Sequence, residues 1–473
     1  MKGKHPTGIG SIADAINYIA GNYLDSVDSL ICRVASPETT ELLAQNYAIP
    51  DEGPHSVEDV LKEAEEINRY RVRMDHRRFF GFIPSPVLPV SWLADVVASS
   101  FNVHAGSRLQ SSGASAIEKR LIHWMATIVG LSPNTAGGIA VSGGSMANLT
   151  AMVLARDNRL PRDKRSVGVA YVSDQTHSSV AKGLRILGFS DDQVRKIRCD
   201  DQFRMLVSVL RDAITEDRGK GLYPFLVIAT YGTTNTGAID PIHEVITVAQ
   251  RERLWMHVDG AYGASALLSR AHRKSHLGLA GIDSLYWDAH KWLFQTYACG
   301  FVLVKDQALL YNSFRTGAEY VQDAAEMDHV PNYWNLGMEL TRPARATKLW
   351  FTLRVLGLQR ISEMLDHGIR LAEIAEKEVR KLPHWQITSR ASLAIVTFRY
   401  APEDKSDIQR DRLNTLISQW LIAEDIAGAL TTRIHGRVVL RMCCIHPDLT
   451  ETELKDIVWK MGQISTKLSD DIS

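Results

Sequence analysis

Phe225-Leu226-Val227-Ile228-Ala229-Thr230-Tyr231-Gly232, then His243 to Arg253, then Leu254-Trp255-Met256-His257-Val258-Asp259 is the stretch that decides the fold. Its first and last runs are apolar throughout and of strand length. The run between them, HEVITVAQRER, carries apolar residues at helical spacing. A strand, a helix and a second strand, both strands apolar on either side, predict a parallel pair buried on both faces. The alternation extends outward. GIAVS (138–142) and GVAYVS (168–173) precede it, and SLYWDA (284–289) and GFVLVK (300–305) follow. Helical stretches at 146–157, 177–188 and about 203–214 lie between the early strands. The chain reads as α/β, with a mostly parallel sheet covered by helices. Such sheets bind ligands at the carboxyl ends of their strands.

The flanks read differently. Ile12, Ile16, Ile19, Tyr23 and Val27 predict an amphipathic helix starting near Ser11. Ser56 with Asp59 three residues on announces a second, polar helix. GFIPSPVLPVSW (81–92) reads as a connection. After Thr347 come a long helix (348–381), a strand (393–400), a helix (about 413–423), a strand (437–445) and a last helix from Glu451. The expected division is an N-terminal helical arm (1–88), a large domain (89–347) and a small α+β C-terminal domain (348–473).

Composition narrows the function. The 473 residues carry 54 Lys+Arg and 54 Asp+Glu, a net charge of zero. That argues against a nucleic-acid binder and against an acidic tail. Asp14, Asp25 and Asp28 interrupt any signal-peptide core. The uncharged run Leu131 to Ala155 is rich in Gly, Ser, Asn and Thr, so no membrane span is expected. Cys32, Cys199, Cys299, Cys443 and Cys444 contain no CxxC pair, so neither disulfides nor a metal site is expected. A cytoplasmic location follows.

Four strand ends carry candidate chemistry. Ser142-Gly143-Gly144-Ser145 before a helix offers free N–H groups to an anion, most naturally a phosphate; small strand-to-helix turns are also common without a ligand. His177 follows the next strand, where, taken alone, a capping or core histidine is the more ordinary reading. Asp259 closes a buried strand and needs a donor or cation to answer it, or else caps the next helix. Gly260 and Ala261 leave room beside it for a flat group. Lys291 sits between a strand and the apolar Trp292-Leu293-Phe294. Desolvation there would favour a neutral, nucleophilic amine, although a lysine can also reach past such a patch to water. Together, a phosphate cradle, a stacking group, a buried acid and a reactive amine are the set that pyridoxal 5′-phosphate (PLP) requires.

VSGGSMANLTA, SDQTHSSVAKGLR, YGTTNTGAID, HVDGAYGAS and DAHKWLFQ resemble the pyridoxal-dependent (group II) amino-acid decarboxylases, and most of all the aromatic-L-amino-acid branch with its bacterial tryptophan decarboxylases. The resemblance implies fold type I with a seven-stranded sheet, and a homodimer with shared active sites. It implies that Lys291 is the Schiff-base lysine, that Asp259 pairs with the pyridine nitrogen and that His177 stacks on the ring. Ala261 would pack on the ring's other side. Gly144, Ser145 and His290 would hold the phosphate, and Thr234 would approach the ring hydroxyl. The family commonly has Asn where this chain has Asp288. A carboxylate beside a phosphate is unfavourable, which argues against Asp288 as a ligand. Tyr320 would return a proton to the substrate's α-carbon; a phenylalanine there is associated with oxidative aldehyde formation. Phe82, Ile83, His104, Trp334 and Leu340 would surround the side chain of an aromatic amino acid, some from the partner subunit. Gly106, where mammalian relatives carry a larger group, would open room for an indole, making tryptophan the first choice and phenylalanine and tyrosine the next. The competing expectations are a glutamate-type decarboxylase, which would need a cation deep in the pocket, and a PLP-fold protein without turnover.

Overall fold

The computed structural model describes residues 12–25, 30–48, 53–272, 279–316 and 332–470. Among these, seven strands form one sheet: β1 (Gly137–Val141), β2 (Gly168–Ser173), β3 (Val194–Ile197), β4 (Tyr223–Thr230), β5 (Trp255–Asp259), β6 (Ser284–Asp288) and β7 (Gly300–Val304). Their order is β1-β7-β6-β5-β4-β2-β3. Pairs are parallel from β3 through β6, while β7 runs antiparallel to both β6 and β1.

β1, β2, β5, β6 and β7 are buried at every position, as continuous apolar runs require when helices cover both faces. β3 escapes the apolar pattern. It is a short edge strand, Val-Arg-Lys-Ile, with only Ile197 buried. The helix Gly144–Arg159 buries Ala147, Ala151 and Ala155, whose short side chains let its backbone lie close to the sheet. That accounts for the small, uncharged run around it.

A second sheet, β8 (Trp385–Ser392), β9 (Ile395–Tyr400), β10 (Thr431–Ile434) and β11 (Arg437–Cys443), is antiparallel in the order β10-β11-β9-β8. Its core holds Val396, Phe398, Leu440 and Met442 against Leu413, Ile417 and Val458 of two covering helices. The helix Ala346–Val379 breaks at Gly357, whose φ of 70° is open to glycine without strain.

The expected connection at 81–92 ends sooner than its prolines suggest. Pro89 opens the helix Pro89–Phe101, where a missing N–H costs nothing. Ser56 caps Val57–Arg69 by accepting from the Asp59 N–H, as its sequence predicts. All five cysteines are free, and among the described residues no helix is long and apolar enough to cross a membrane and no group of side chains suits a metal ion.

Candidate active site

Register gathers the candidate residues along one edge of the large sheet. Thr230 pairs with Asp259, Asp259 with Tyr286, Asp288 with Gly300, and Gly300 with Val141. The carboxyl ends of β4, β5, β6 and β1 therefore lie side by side.

After β1 the chain turns through Ser142 and Gly143 into the helix Gly144–Arg159, whose N-terminus has no side-chain cap. Its free N–H groups and positive dipole end face outward, and Ser145 stands exposed there. A Cβ on Gly144 would meet Tyr286 Oη at 2.8 Å, one on Gly143 would meet His290 Cε1 at 3.1 Å, and one on Gly300 would meet Asp288 Oδ1 at 2.6 Å. β6 and the turn after it thus press against the glycine turn, and a larger residue would push them off.

Asp259 is buried, and its charge is answered by donors rather than by a cation. Oδ2 accepts from Asn148 Nδ2 at 3.2 Å, and Oδ1 accepts from the Ala261 N–H at 3.1 Å. Asn148 Nδ2 also donates to Ser179 Oγ at 3.0 Å, while its Oδ1 lies 3.0 Å from His257 Nε2. His257 Nδ1 is 2.8 Å from Ser284 Oγ, which accepts from Trp255 Nε1 at 2.9 Å. Burial pushes the His257 pKa down to about 4 against the pull of Asp259, so the ring is neutral.

His177 caps the helix Ser178–Ile186. Its Nδ1 accepts from the Ser179 N–H at 3.2 Å and lies 2.9 Å from Ser179 Oγ. The capping role expected of this residue is therefore present. Burial lowers the His177 pKa; Asp259 opposes that and Lys291 adds to it, so all three share one electrostatic neighbourhood.

Lys291 is less stranded than its apolar neighbours predict. Trp292, Leu293 and Phe294 are fully buried, but the Lys291 side chain stays 24% exposed with Nζ 3.2 Å from Asp288 Oδ2. Asp288 is 1% exposed, and its Oδ1 has no hydrogen-bond partner. Burial raises its pKa to about 7; Lys291 pulls it down and Asp259 pushes it up. His290 Nδ1 lies 3.0 Å from the Cys299 carbonyl, and burial, aided by Lys291, lowers its pKa to about 4.

The pyridoxal-dependent decarboxylase conserved domain matches residues 37–401. An aromatic-L-amino-acid decarboxylase of Bacillus atrophaeus is 36% identical over 97% of this chain and 94% of its own. The chain belongs to the pyridoxal-dependent decarboxylase family. An L-2,4-diaminobutyrate decarboxylase of Rhizobium meliloti is 32% identical over 83% of this chain and 79% of its own. A crystal structure of Oryza sativa TDC with PLP and tryptamine superposes with a TM-score of 0.90 at 26% identity, covering 97% of both chains. The fold is that of the type I PLP enzymes, and the family's cofactor is PLP.

The residues of this family member fit that cofactor. Two buried oxygens without partners, Tyr286 Oη and Asp288 Oδ1, lie against the glycine turn, where an uncapped helix end already favours a phosphate. Asp259, held by two donors, suits a protonated ring nitrogen. Gly144, Ser145, His177, Asp259, Ala261, His290 and Lys291 all reach this edge. Thr234 follows β4 and is fixed through its carbonyl, which accepts from Arg441 Nε at 2.9 Å. Tyr320 lies outside the described residues.

The expected substrate-binding residues fall into two groups. His104 and Trp334 pack edge to face at 6.2 Å, and the Trp334 N–H donates to the Gly106 carbonyl. Phe82 lies instead beside Arg441, which donates to its carbonyl, and 58% of it is exposed. Ile83 is buried in the main core. Gly106 does not open the expected space: a Cβ there would lie 2.5 Å from His104 Cε1 and 2.6 Å from the Leu340 carbonyl. The glycine admits the His104 ring and the Leu340 backbone. Asn148, Ser179, His257, Ser284 and Tyr286 were not expected at the site. Asn148 alone had a usable signal, since it lies one helical turn beyond Gly144 on the same face.

Proposed function

We propose that this protein decarboxylates aromatic L-amino acids to aryl-ethylamines and carbon dioxide, acting as a cytoplasmic homodimer with shared active sites. The observation that carries the reading is the meeting of Lys291, Asp259 and His177 at one sheet edge in a chain of this family. Bound PLP supplies an electron sink for the electron pair left behind when the carboxyl group departs. The Lys291 amine attaches the cofactor, and the Asp259 carboxylate, steadied by Asn148 and Ala261, keeps a proton on the ring nitrogen. His177, its Nδ1 tied to Ser179, offers a fixed ring face. The Gly144–Ser145 helix end and His290 hold the phosphate, Thr234 faces the ring hydroxyl, and Ala261 packs opposite His177. Tyr320 returns the proton to the α-carbon, which makes the product an amine rather than an aldehyde.

His104, Trp334, Leu340, Phe82 and Ile83 would line the pocket, and their largely apolar, aromatic character suits an aromatic side chain. The likeness to the Bacillus atrophaeus enzyme supports this class, and the likeness to the Oryza sativa TDC bound to tryptamine supports tryptophan as its preferred member. The exposure of Phe82 and Leu340, and their separation into two groups, support a site completed by a second copy. A side-by-side assay tests the reading. L-tryptophan, L-phenylalanine and L-tyrosine should yield amines with kcat/KM at least roughly a hundredfold above L-glutamate and L-2,4-diaminobutyrate. A preference for either of the latter two would overturn it.

A further inference from the structure

We propose that Asp288 is a cofactor-binding residue that acts as a neutral carboxylic acid. Its Oδ1 side donates a hydrogen bond to the phosphate on the Ser142–Ser145 turn, next to the Tyr286 hydroxyl, so phosphate binding takes up a proton. This rests on the reading above that the turn seats the phosphate.

Tyr286 and Asp288 are two residues apart on β6, so their side chains leave the same face. Both end in a buried oxygen without a hydrogen-bond partner, although His290 Nδ1 stands 3.4 Å from Asp288 Oδ1, and both oxygens lie against the glycines of the cradle. Two orphaned oxygens on one face are costly if nothing answers them. A phosphate answers both, provided both donate. A hydroxyl always can; a carboxyl can only when protonated.

The surroundings favour the protonated form. Asp288 is buried at the end of β6, and that burial raises its pKa to about 7 before any anion arrives. The groups facing it are few. Lys291 and His290 come from the turn after β6, Asp259 from β5, and Cys299 from the start of β7. His290 is neutral, and Cys299, pushed by burial to about 12, keeps its proton. Only Lys291 holds the carboxylate form, through Oδ2 at 3.2 Å. Asp259 already opposes that form, and a phosphate would oppose it more strongly. Attaching Lys291 to the cofactor also removes its free ammonium from Asp288. A carboxylic acid kept neutral at pH 7 so that it can donate is a known use of burial.

The sign follows from linkage. The neutral acid binds the phosphate, so affinity is full below the free-protein pKa and falls as pH rises past it. The test uses apoprotein and pyridoxamine 5′-phosphate, which cannot attach to Lys291, titrated by calorimetry in two buffers of different ionisation heat. At pH 8 the wild type should take up more protons than Asp288→Asn, approaching one. From pH 7 to 9 its affinity should fall relative to that variant by up to about tenfold per pH unit. At pH 6.5 the two should bind alike, while Asp288→Ala should bind about tenfold more weakly. Equal proton uptake, or tighter binding by Asp288→Ala at pH 6.5, would mean an ionised Asp288 that only pairs Lys291, and would overturn the proposal. A wild-type apoprotein that does not bind the probe at all would instead overturn the underlying site reading. Dichroism and melting curves of both variants exclude misfolding as the cause.

Discussion

Asn148 answers three side chains with one amide, and that fixes their protonation. Its two N–H bonds go to Asp259 and Ser179, so its oxygen must accept from His257 Nε2. Turning the amide over would set its oxygen against the Asp259 carboxylate. The neutral His257 then carries its proton on Nε2 and accepts from Ser284 through Nδ1, while Ser284 accepts from Trp255. Asn148→Ala should cost about 1–3 kcal/mol in stability, because it strands buried partners. It should also weaken PLP binding; thermal unfolding with and without cofactor reads both effects. The His257 contribution depends on pH. Its folded pKa, about 4, lies below the unfolded value near 6.5, so the unfolded chain takes up the proton first. The stability His257 provides is complete above pH 6.5 and is lost as pH falls toward 4. The gap between wild type and His257→Gln in denaturant unfolding should therefore narrow over that window. Lys291 and Asp259 were legible in the sequence because a charge inside an apolar run is conspicuous. His257 was not, and Asn148 showed only its place one turn beyond Gly144, because their partners lie more than a hundred residues away.

At the scale of elements, a buried ion pair ties the sheet edge to the loops above it. Arg342 donates to Glu118 Oε1 at 2.8 Å, to the Ala140 carbonyl at 2.7 Å and to the Ala105 carbonyl at 2.9 Å. Glu118 Oε1 in turn accepts from the Ala140 N–H at 2.9 Å. The pair joins β1, the helix Ser112–Val129 and the loops that carry His104 and Leu340. Both side chains are essentially inaccessible. Glu118→Ala should cost about 3–5 kcal/mol by denaturant unfolding, since it leaves a buried guanidinium uncompensated. The strands read correctly from sequence are those whose burial is continuous or nearly so, β1, β2, β4 to β7, β9 and β11. β3 and β10 went unread because edge strands are half exposed and break the apolar pattern. β8 went unread for the same reason. The antiparallel β7 is likewise invisible in composition, because a buried strand reads alike in either direction.

For the whole molecule, the zero net charge gives no long-range pull on ions of either sign, which suits a zwitterionic substrate. A dimer with shared sites makes a specific prediction. If Trp334 reaches the site of the partner subunit, Lys291→Ala and Trp334→Ala variants, each of low activity alone, should regain activity when unfolded together and refolded as a mixture, because hybrid dimers then contain one intact site. No gain in the mixture would place Lys291 and Trp334 of one chain in the same site. The central claim is the reaction itself, and its stoichiometry tests it most directly. With carboxyl-labelled L-tryptophan and PLP, labelled carbon dioxide and tryptamine should appear in a one-to-one ratio, with no ammonia or aldehyde, and Lys291→Ala should release neither. Carbon dioxide accompanied by aldehyde and ammonia, or tryptophan left intact while another class of amino acid is consumed, would contradict the account.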